Sequence, residues 1–292
     1  MPEVGELSAR TLPAGGQVAG SVRVESGSVS PYGHRQIVVL IHGYANNQAA
    51  ASGSFQACID NLQKLPAPAN TNIPSPIFKF YWPGDTQIRI FSELSYPTEI
   101  QPAVESGQRL AEFLGTLTGP DDTPTEIHLI AHSLGNRVAL EMLKTFDATN
   151  QHVIFRSISM MAAAVPVSMV KNGGNLWNSW VIVKRSQALC SISDQVLHLA
   201  FPAGETAALE GFFPEAIGRF GNPPGTWNKN LPMSDYGHGS YWPNAATAFF
   251  LASFLEMPIN PPLVANAIPV RQVAPPRVIQ GSVVASRKMS AP

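Results

Sequence analysis

The run Ile127-His128-Leu129-Ile130-Ala131-His132-Ser133-Leu134-Gly135-Asn136 constrains this chain more than any other stretch of it. An apolar segment of strand character leads into a serine with a small residue two positions away on each side. Arg137 to Lys144 then continue with apolar residues at helical spacing. Strand, sharp turn and helix around a serine are the layout of a nucleophile elbow, with Ala131 in the first small position and Gly135 in the second. So tight a turn admits only small side chains at those two places, and it lifts the serine oxygen clear of the sheet edge, where a base can reach it. A helix starting there aims the positive end of its dipole at negative charge forming beside Ser133. The same string also arises where a serine merely caps a helix or faces solvent, so the rest of the chain must carry the choice.

Composition narrows the classes. With 292 residues the chain is long enough for one large α/β domain or two small ones, and 45% hydrophobic residues suffice for a substantial core. Charged residues are only 13%, against roughly a quarter in an ordinary soluble protein, which points to an oligomer or an apolar substrate. A net charge of −1 with no basic stripe leaves nucleic-acid binding without its electrostatic footprint. The two cysteines, Cys58 and Cys190, are expected to be buried thiols rather than a disulfide. Residues 1 to 30 hold Glu3, Glu6 and several glycines but no apolar core of a secretory signal, and no apolar run is long enough for a membrane span. A cytoplasmic protein without a stable membrane anchor is expected.

Along the chain, strands and helices alternate. Residues 1 to 33 read as a short strand, a hairpin or an ordered arm, with weak alternation from Gln17 to Glu25. Gln36 to Ile41 is a continuous β-branched run of the kind found in buried parallel strands. Ser52 to Leu65 has helical periodicity; Ile77 to Trp82 is an aromatic-rich strand stopped by Pro83-Gly84. Thr98 to Leu117 is an amphipathic helix, residues 126 to 131 the elbow strand, and Leu134 to Phe146 the helix after it. His152 to Ala164 predicts another buried strand, and Trp180 to Lys184 a further one, with Ala188-Leu189-Cys190 as alternative or continuation. Ala245 to Leu255 is a last apolar helix, and residues 258 to 292, rich in proline, read as a loosely packed tail. The expected architecture is a doubly wound α/β fold, a mostly parallel sheet with helices on both faces and a main domain over residues 34 to 257.

In such a sheet, function gathers at the carboxyl ends of the strands. Three ends carry polar or glycine signals. After the first apolar strand comes His42-Gly43-Tyr44; the Tyr44 amide and that of Leu134 would make a two-donor oxyanion hole, unless this is a plain strand-to-helix turn. The second end is Ser133, whose hydroxyl needs an imidazole oriented by a carboxylate. After an elbow of this kind the chain order is serine, acid, histidine. Of seven histidines only His152, His198 and His238 follow Ser133. His152 starts a predicted strand at the wrong end of the sheet, and His198 sits in the apolar run Val196 to Phe201, where a packed histidine is expected. His238, between Gly237 and Gly239 and ahead of the last helix, is the best base. The third end supplies Asp194 as the acid, against a solvated turn residue; Asp235 is its rival, with Glu205 and Glu210 behind.

These residues resemble a family. His42-Gly43-Tyr44, Phe80-Tyr81-Trp82-Pro83, Ala131 to Arg137 and Gly237 to Trp242, in that order, are similar to the H-G-Y, F-x-W-P, A-H-S-x-G-N-R and G-H-x-x-Y-W motifs of a bacterial group of largely uncharacterised members of the α/β-hydrolase superfamily. The resemblance covers roughly residues 35 to 257. It implies a triad of Ser133, Asp194 and His238, a small-molecule ester-like substrate and no cofactor or metal. Alanine at 131 departs from the glycine of the elbow but is still small.

The loops set the substrate. Between Pro166 and Trp180 the connection is too short for a large cap domain. The longer excursion, residues 197 to 234, holds Phe201, Phe212, Phe213, Phe220 and Trp227, which either line an acyl pocket, form a partial lid or pack the segment onto the sheet. Asn46, Asn47 and Asp85 sit at the mouth or serve as turn residues. The reading is a carboxylesterase-like serine hydrolase; a lipase or phospholipase at a lipid surface, and a catalytically silent binding module of the same fold, are the alternatives.

Overall fold

The computed structural model describes residues 2–66, 73, 76–85, 92–225 and 229–259, with only the backbone of 92–96. Trp227 and, apart from residues 258 and 259, the tail expected over residues 258 to 292 lie outside them. Within residues 1 to 33, read as a strand, a hairpin or an arm, β1 (Val4–Arg10) and β2 (Val18–Val24) pair antiparallel at one edge of the sheet. Next come β3 (Gln36–Ile41), α1 (Gln48–Gln63), β4 (Ile77–Tyr81), α2 (Ser92–Leu114), β5 (Thr125–His132) and α3 (Gly135–Thr145). The second half holds β6 (Val153–Met161), α4 (Val167–Val170), β7 (Val183–Cys190), α5 (Phe201–Ala207), α6 (Ile217–Phe220), β8 (Lys229–Pro232) and α7 (Ala245–Phe254).

The sheet has eight strands in the order β2-β1-β4-β3-β5-β6-β7-β8, parallel throughout except for β2. Parallel strands joined by helical crossovers are covered on both faces, so their sequences lose alternation and become continuous apolar runs. Accordingly, β3 is buried from Ile37 to Ile41 and β5 from Ile127 to His132. Two helix pairs flank the sheet: α1 packs with α7, and α2 with α3. Asn47 caps α1, its side chain accepting from the Ala50 amide, and Asn244 does the same for α7. The pair α2–α3 is close-packed because residue 107 is glycine; a Cβ there would stand 2.7 Å from the Val138 carbonyl oxygen. Cys58 and Cys190 are free and buried, and burial pushes their thiols up to about 12 and about 11.

Two local expectations are corrected. The strand predicted at Trp180 to Lys184 starts at Val183 and runs through Cys190. Trp177–Trp180 is a 3-10 turn instead, held where the Ser179 hydroxyl donates to the Leu140 carbonyl of α3. His198, expected to be packed, is exposed on a π-helical turn over Val196–Ala200. The edge strand β8 carries no sequence signal, being short, polar and closed by proline, the features that blunt an edge.

Candidate active site

The site grows from the end of β5. Ser133 has φ 53°, in the left-handed region that a non-glycine residue enters only when its surroundings hold it there. Here they do: its amide donates to the Met161 carbonyl at the end of β6, and its own carbonyl accepts from the Ala164 amide. Asn136, fully buried, adds its Nδ2 to both the Ser133 and Met161 carbonyls at 3.0 and 3.1 Å. The small residues of the elbow follow from close approach. A Cβ on Gly135 would collide with the His42 carbonyl, and one on Gly43 would stand 2.7 Å from the Ser133 Cβ. The backbone that carries Gly43 and Tyr44 therefore runs directly beside the serine, and Leu134 follows it at the entry to α3.

Two further motifs fix that backbone. The His42 ring stacks on Trp82 with centroids 5.6 Å apart and 13° between planes. Its Nδ1–H donates to the Gly43 carbonyl, its Nε2 accepts from the Trp82 amide, and the Trp82 indole donates to the His42 carbonyl. Burial lowers the His42 pKa to about 3, so the ring stays neutral and keeps this donor–acceptor pattern. Asn46 turns its Nδ2 to the Gly43 and Tyr44 carbonyls, while Asn47 is the α1 cap. Asp85 pairs with the buried Arg10 and accepts from the Gly15 amide. All three serve the loops themselves.

Ser133, His238 and Asp194, on three separate chain segments, form one hydrogen-bonded line. The Ser133 Oγ lies 2.8 Å from His238 Nε2, and His238 Nδ1 lies 2.8 Å from Asp194 Oδ2. Asp194 is fully buried in the turn after β7, its other oxygen accepting from the Leu197 amide at 3.0 Å; the His238 side chain is 19% exposed. A buried carboxylate oriented on the inner ring nitrogen selects the tautomer whose outer nitrogen can accept from the serine. The rival acids are elsewhere. Glu210 pairs with Arg137, Asp235 is exposed at a turn with φ 61°, and Glu205 is buried in α5. His152 precedes β6 at the opposite end of the strands.

Other residues at the site were not singled out from sequence. His132, next to the serine, lies 2.7 Å through Nε2 from the His238 carbonyl. Arg137, buried in the first turn of α3, pairs with Glu141 at 2.9 Å and with Glu210 at 2.6 Å. Both stand in the Ala131 to Arg137 motif, which was the only signal available for them. Among the aromatics of the 197 to 234 excursion, Phe201 joins the core, whereas Phe212, Phe213 and Phe220 are exposed. Among the described residues there is no group of three or more His, Cys, Asp or Glu arranged to hold a metal ion, and no helix long and apolar enough to cross a membrane.

The mostly parallel sheet with flanking helices is an α/β-hydrolase fold, and a family model agrees. The family described as "Alpha/beta hydrolase of unknown function (DUF900)" matches residues 26–200, and the chain belongs to it. No curated protein matches the chain. Among solved structures, an uncharacterized protein from Bacillus cereus is 13% identical over 80% of this chain and 62% of that one, with a TM-score of 0.41; the match thus spans less than two thirds of that protein. The lin2722 gene product of Listeria innocua is 13% identical over 76% of this chain and 94% of its own, at 0.42. TT1662 from Thermus thermophilus is 14% identical over 77% and 89%, at 0.41.

Proposed function

We propose that this protein is a serine hydrolase that cleaves a carboxylic ester or thioester through an acyl-enzyme on Ser133. The observation that carries the reading is the unbroken line Ser133 Oγ, His238, Asp194, with both links at 2.8 Å. In the first half-reaction the Oγ attacks the carbonyl carbon while His238 Nε2 takes its proton, and Asp194 stabilises the imidazolium. The oxygen of the tetrahedral intermediate is held by the Tyr44 and Leu134 amides, at the positive end of α3. His238 then passes the proton to the departing alcohol or thiol. Water enters, loses a proton to Nε2 and attacks the acyl carbon; the carboxylic acid leaves and the Oγ regains its proton. A panel of p-nitrophenyl esters tests this: the wild type turns over short to medium chains, and Asp194→Asn lowers kcat by about 10⁴ through the wrong histidine tautomer. Full activity in Asp194→Asn would sink the assignment.

One observation favours a second reading, action at a lipid surface. The segment around Asp194 exposes Ile192, Val196 and Leu199, and a loop beyond α5 exposes Leu209 (92%), Phe212 (86%) and Phe213. Exposed apolar tips on the chain around and after the catalytic acid suit insertion among acyl chains. A steep rise in rate with acyl length, and with the onset of micelles, selects this reading; a fall beyond medium chains selects the esterase. A folded wild type that turns over no ester would favour a silent binding module.

A further inference from the structure

His238 rides on a loop with glycine on both sides, Gly237 and Gly239, in a chain otherwise held by a single local backbone hydrogen bond there, from the Ser240 amide to the Gly237 carbonyl. Glycines leave a loop conformationally free unless something outside it fixes the backbone. The base must nonetheless hold its ring between a buried carboxylate and a strained serine. The outside contact is His132. Its Nε2 lies 2.7 Å from the His238 carbonyl oxygen, and its ring packs 5.1 Å from the His238 ring and 6.0 Å from both Tyr241 and Trp242. On its other side, a Cβ on Gly43 would stand 3.1 Å from His132 Nδ1, so the same ring fills the space between the base loop and the backbone leading to Tyr44.

We infer that His132 is a positioning residue: by donating its Nε2–H to the His238 carbonyl it sets the base loop against the nucleophile elbow. The inference rests on the serine-hydrolase reading above. A carbonyl can only accept, so Nε2 must carry the hydrogen; a neutral imidazole has one, so Nδ1 is bare. Neutrality is secured because burial, then the neighbouring His238, lower the His132 pKa to about 3. The donor therefore persists from pH 5 to 9. It also spares the imidazolium formed at His238 a second cation alongside it. Because His132 directly precedes Ser133, the contact registers base to nucleophile through one residue rather than through the sheet.

Two substitutions of similar length separate the hydrogen bond from mere packing. Glutamine places an amide N–H near the position of Nε2, and methionine fills the space without a donor. With the best p-nitrophenyl ester, His132→Met should lower kcat by roughly 10- to 100-fold with KM changed less than about twofold, since a small displacement of the base is felt in the chemical step and not in binding. His132→Gln should recover about tenfold of that loss while remaining below wild type, with equal melting temperatures for the two variants. Independently of any variant, the ring ¹⁵N signals of wild-type His132 should report the Nε2–H tautomer from pH 5 to 9. Wild-type kcat in His132→Met, equal losses in both variants, or an Nδ1–H tautomer overturns the positioning role while leaving Ser133 as nucleophile. Absence of wild-type turnover overturns the hydrolase reading and this inference with it.

Discussion

Trp82 grips His42 at two points: its indole Nε1 donates to the His42 carbonyl at 2.8 Å, and its backbone amide donates to the His42 ring at 3.2 Å. One residue at the end of β4 thus fixes both the main chain and the side chain at the end of β3, immediately before Gly43 and Tyr44. The grip is dry, since both residues are almost wholly buried. It explains why a tryptophan after a strand and a histidine before a glycine belong to one device.

Trp82→Phe keeps most of the stacked ring but strands the buried His42 carbonyl. Leaving such an acceptor unpaired costs about 1–3 kcal/mol. Urea denaturation should show a lower midpoint with unchanged slope. An unaltered midpoint would mean that the indole hydrogen bond contributes nothing.

Gly135→Ala drives a methyl into the His42 carbonyl, which is backbone and gives way only if the loop shifts. Overpacking of this kind destabilises by about 1–3 kcal/mol, and the displaced loop is the one beside Ser133. The variant should lose both stability and ester hydrolysis. Retention of both would show that the elbow is looser than its contacts require.

Acid stability follows from three buried neutral histidines. Burial first, in every case, lowers His42 to about 3, His132 to about 3 and His128 to about 4, against 6.5 when unfolded. Below pH 6.5 the unfolded chain binds protons that the folded chain refuses, so their contribution is present above 6.5 and is lost as pH falls toward 4. Glu99 opposes them. Burial and then Asp85 raise it to about 7, so the folded chain holds its proton more readily and gains stability as pH falls from 7 to 4.5. The urea midpoint should therefore fall between pH 6.5 and 4.5, and more steeply in Glu99→Gln. A midpoint that rises over this range contradicts the three-against-one balance.

Glu210 ties the loop bearing Leu209, Phe212 and Phe213 to Arg137 on α3. Glu210→Ala leaves the buried Arg137 only its carboxylate partner Glu141, so the loss of two charge-assisted hydrogen bonds should cost about 1–3 kcal/mol of global stability. The loop itself loses its tether. Limited chymotrypsin digestion should cut after Leu209 or Phe212 several times faster than in wild type, the bond after Phe213 being protected by Pro214; equal cleavage rates would rule out the tether.

What could be read from the sequence, and what could not, divides by the range of the forces involved. Gln36 to Ile41 and Ile127 to His132 announce themselves because strands buried on both faces must be apolar throughout. Gly135 is legible because close backbone approach excludes a Cβ. Asp194 and His238 are singled out by chain order and loop character, and in the structure His238 lies between Ser133 and Asp194. At His198 the apolar neighbours look like core, yet Val196 and Leu199 face solvent. The strand at 183 to 190 reads from sequence as starting at Trp180 because the Ser179–Leu140 contact that turns the chain there is tertiary. The roles of His132 and Asn136 were hidden for the same reason: they bond to main-chain carbonyls far along the chain, which carry no residue signature.

The most direct measurement is intact-mass analysis after treatment with a fluorophosphonate, which marks only a serine activated by its base. The account predicts a single adduct on the wild type, mapped by peptide sequencing to Ser133 and absent from a folded Ser133→Ala protein. An unlabelled wild type, or an adduct that persists in Ser133→Ala, would contradict it.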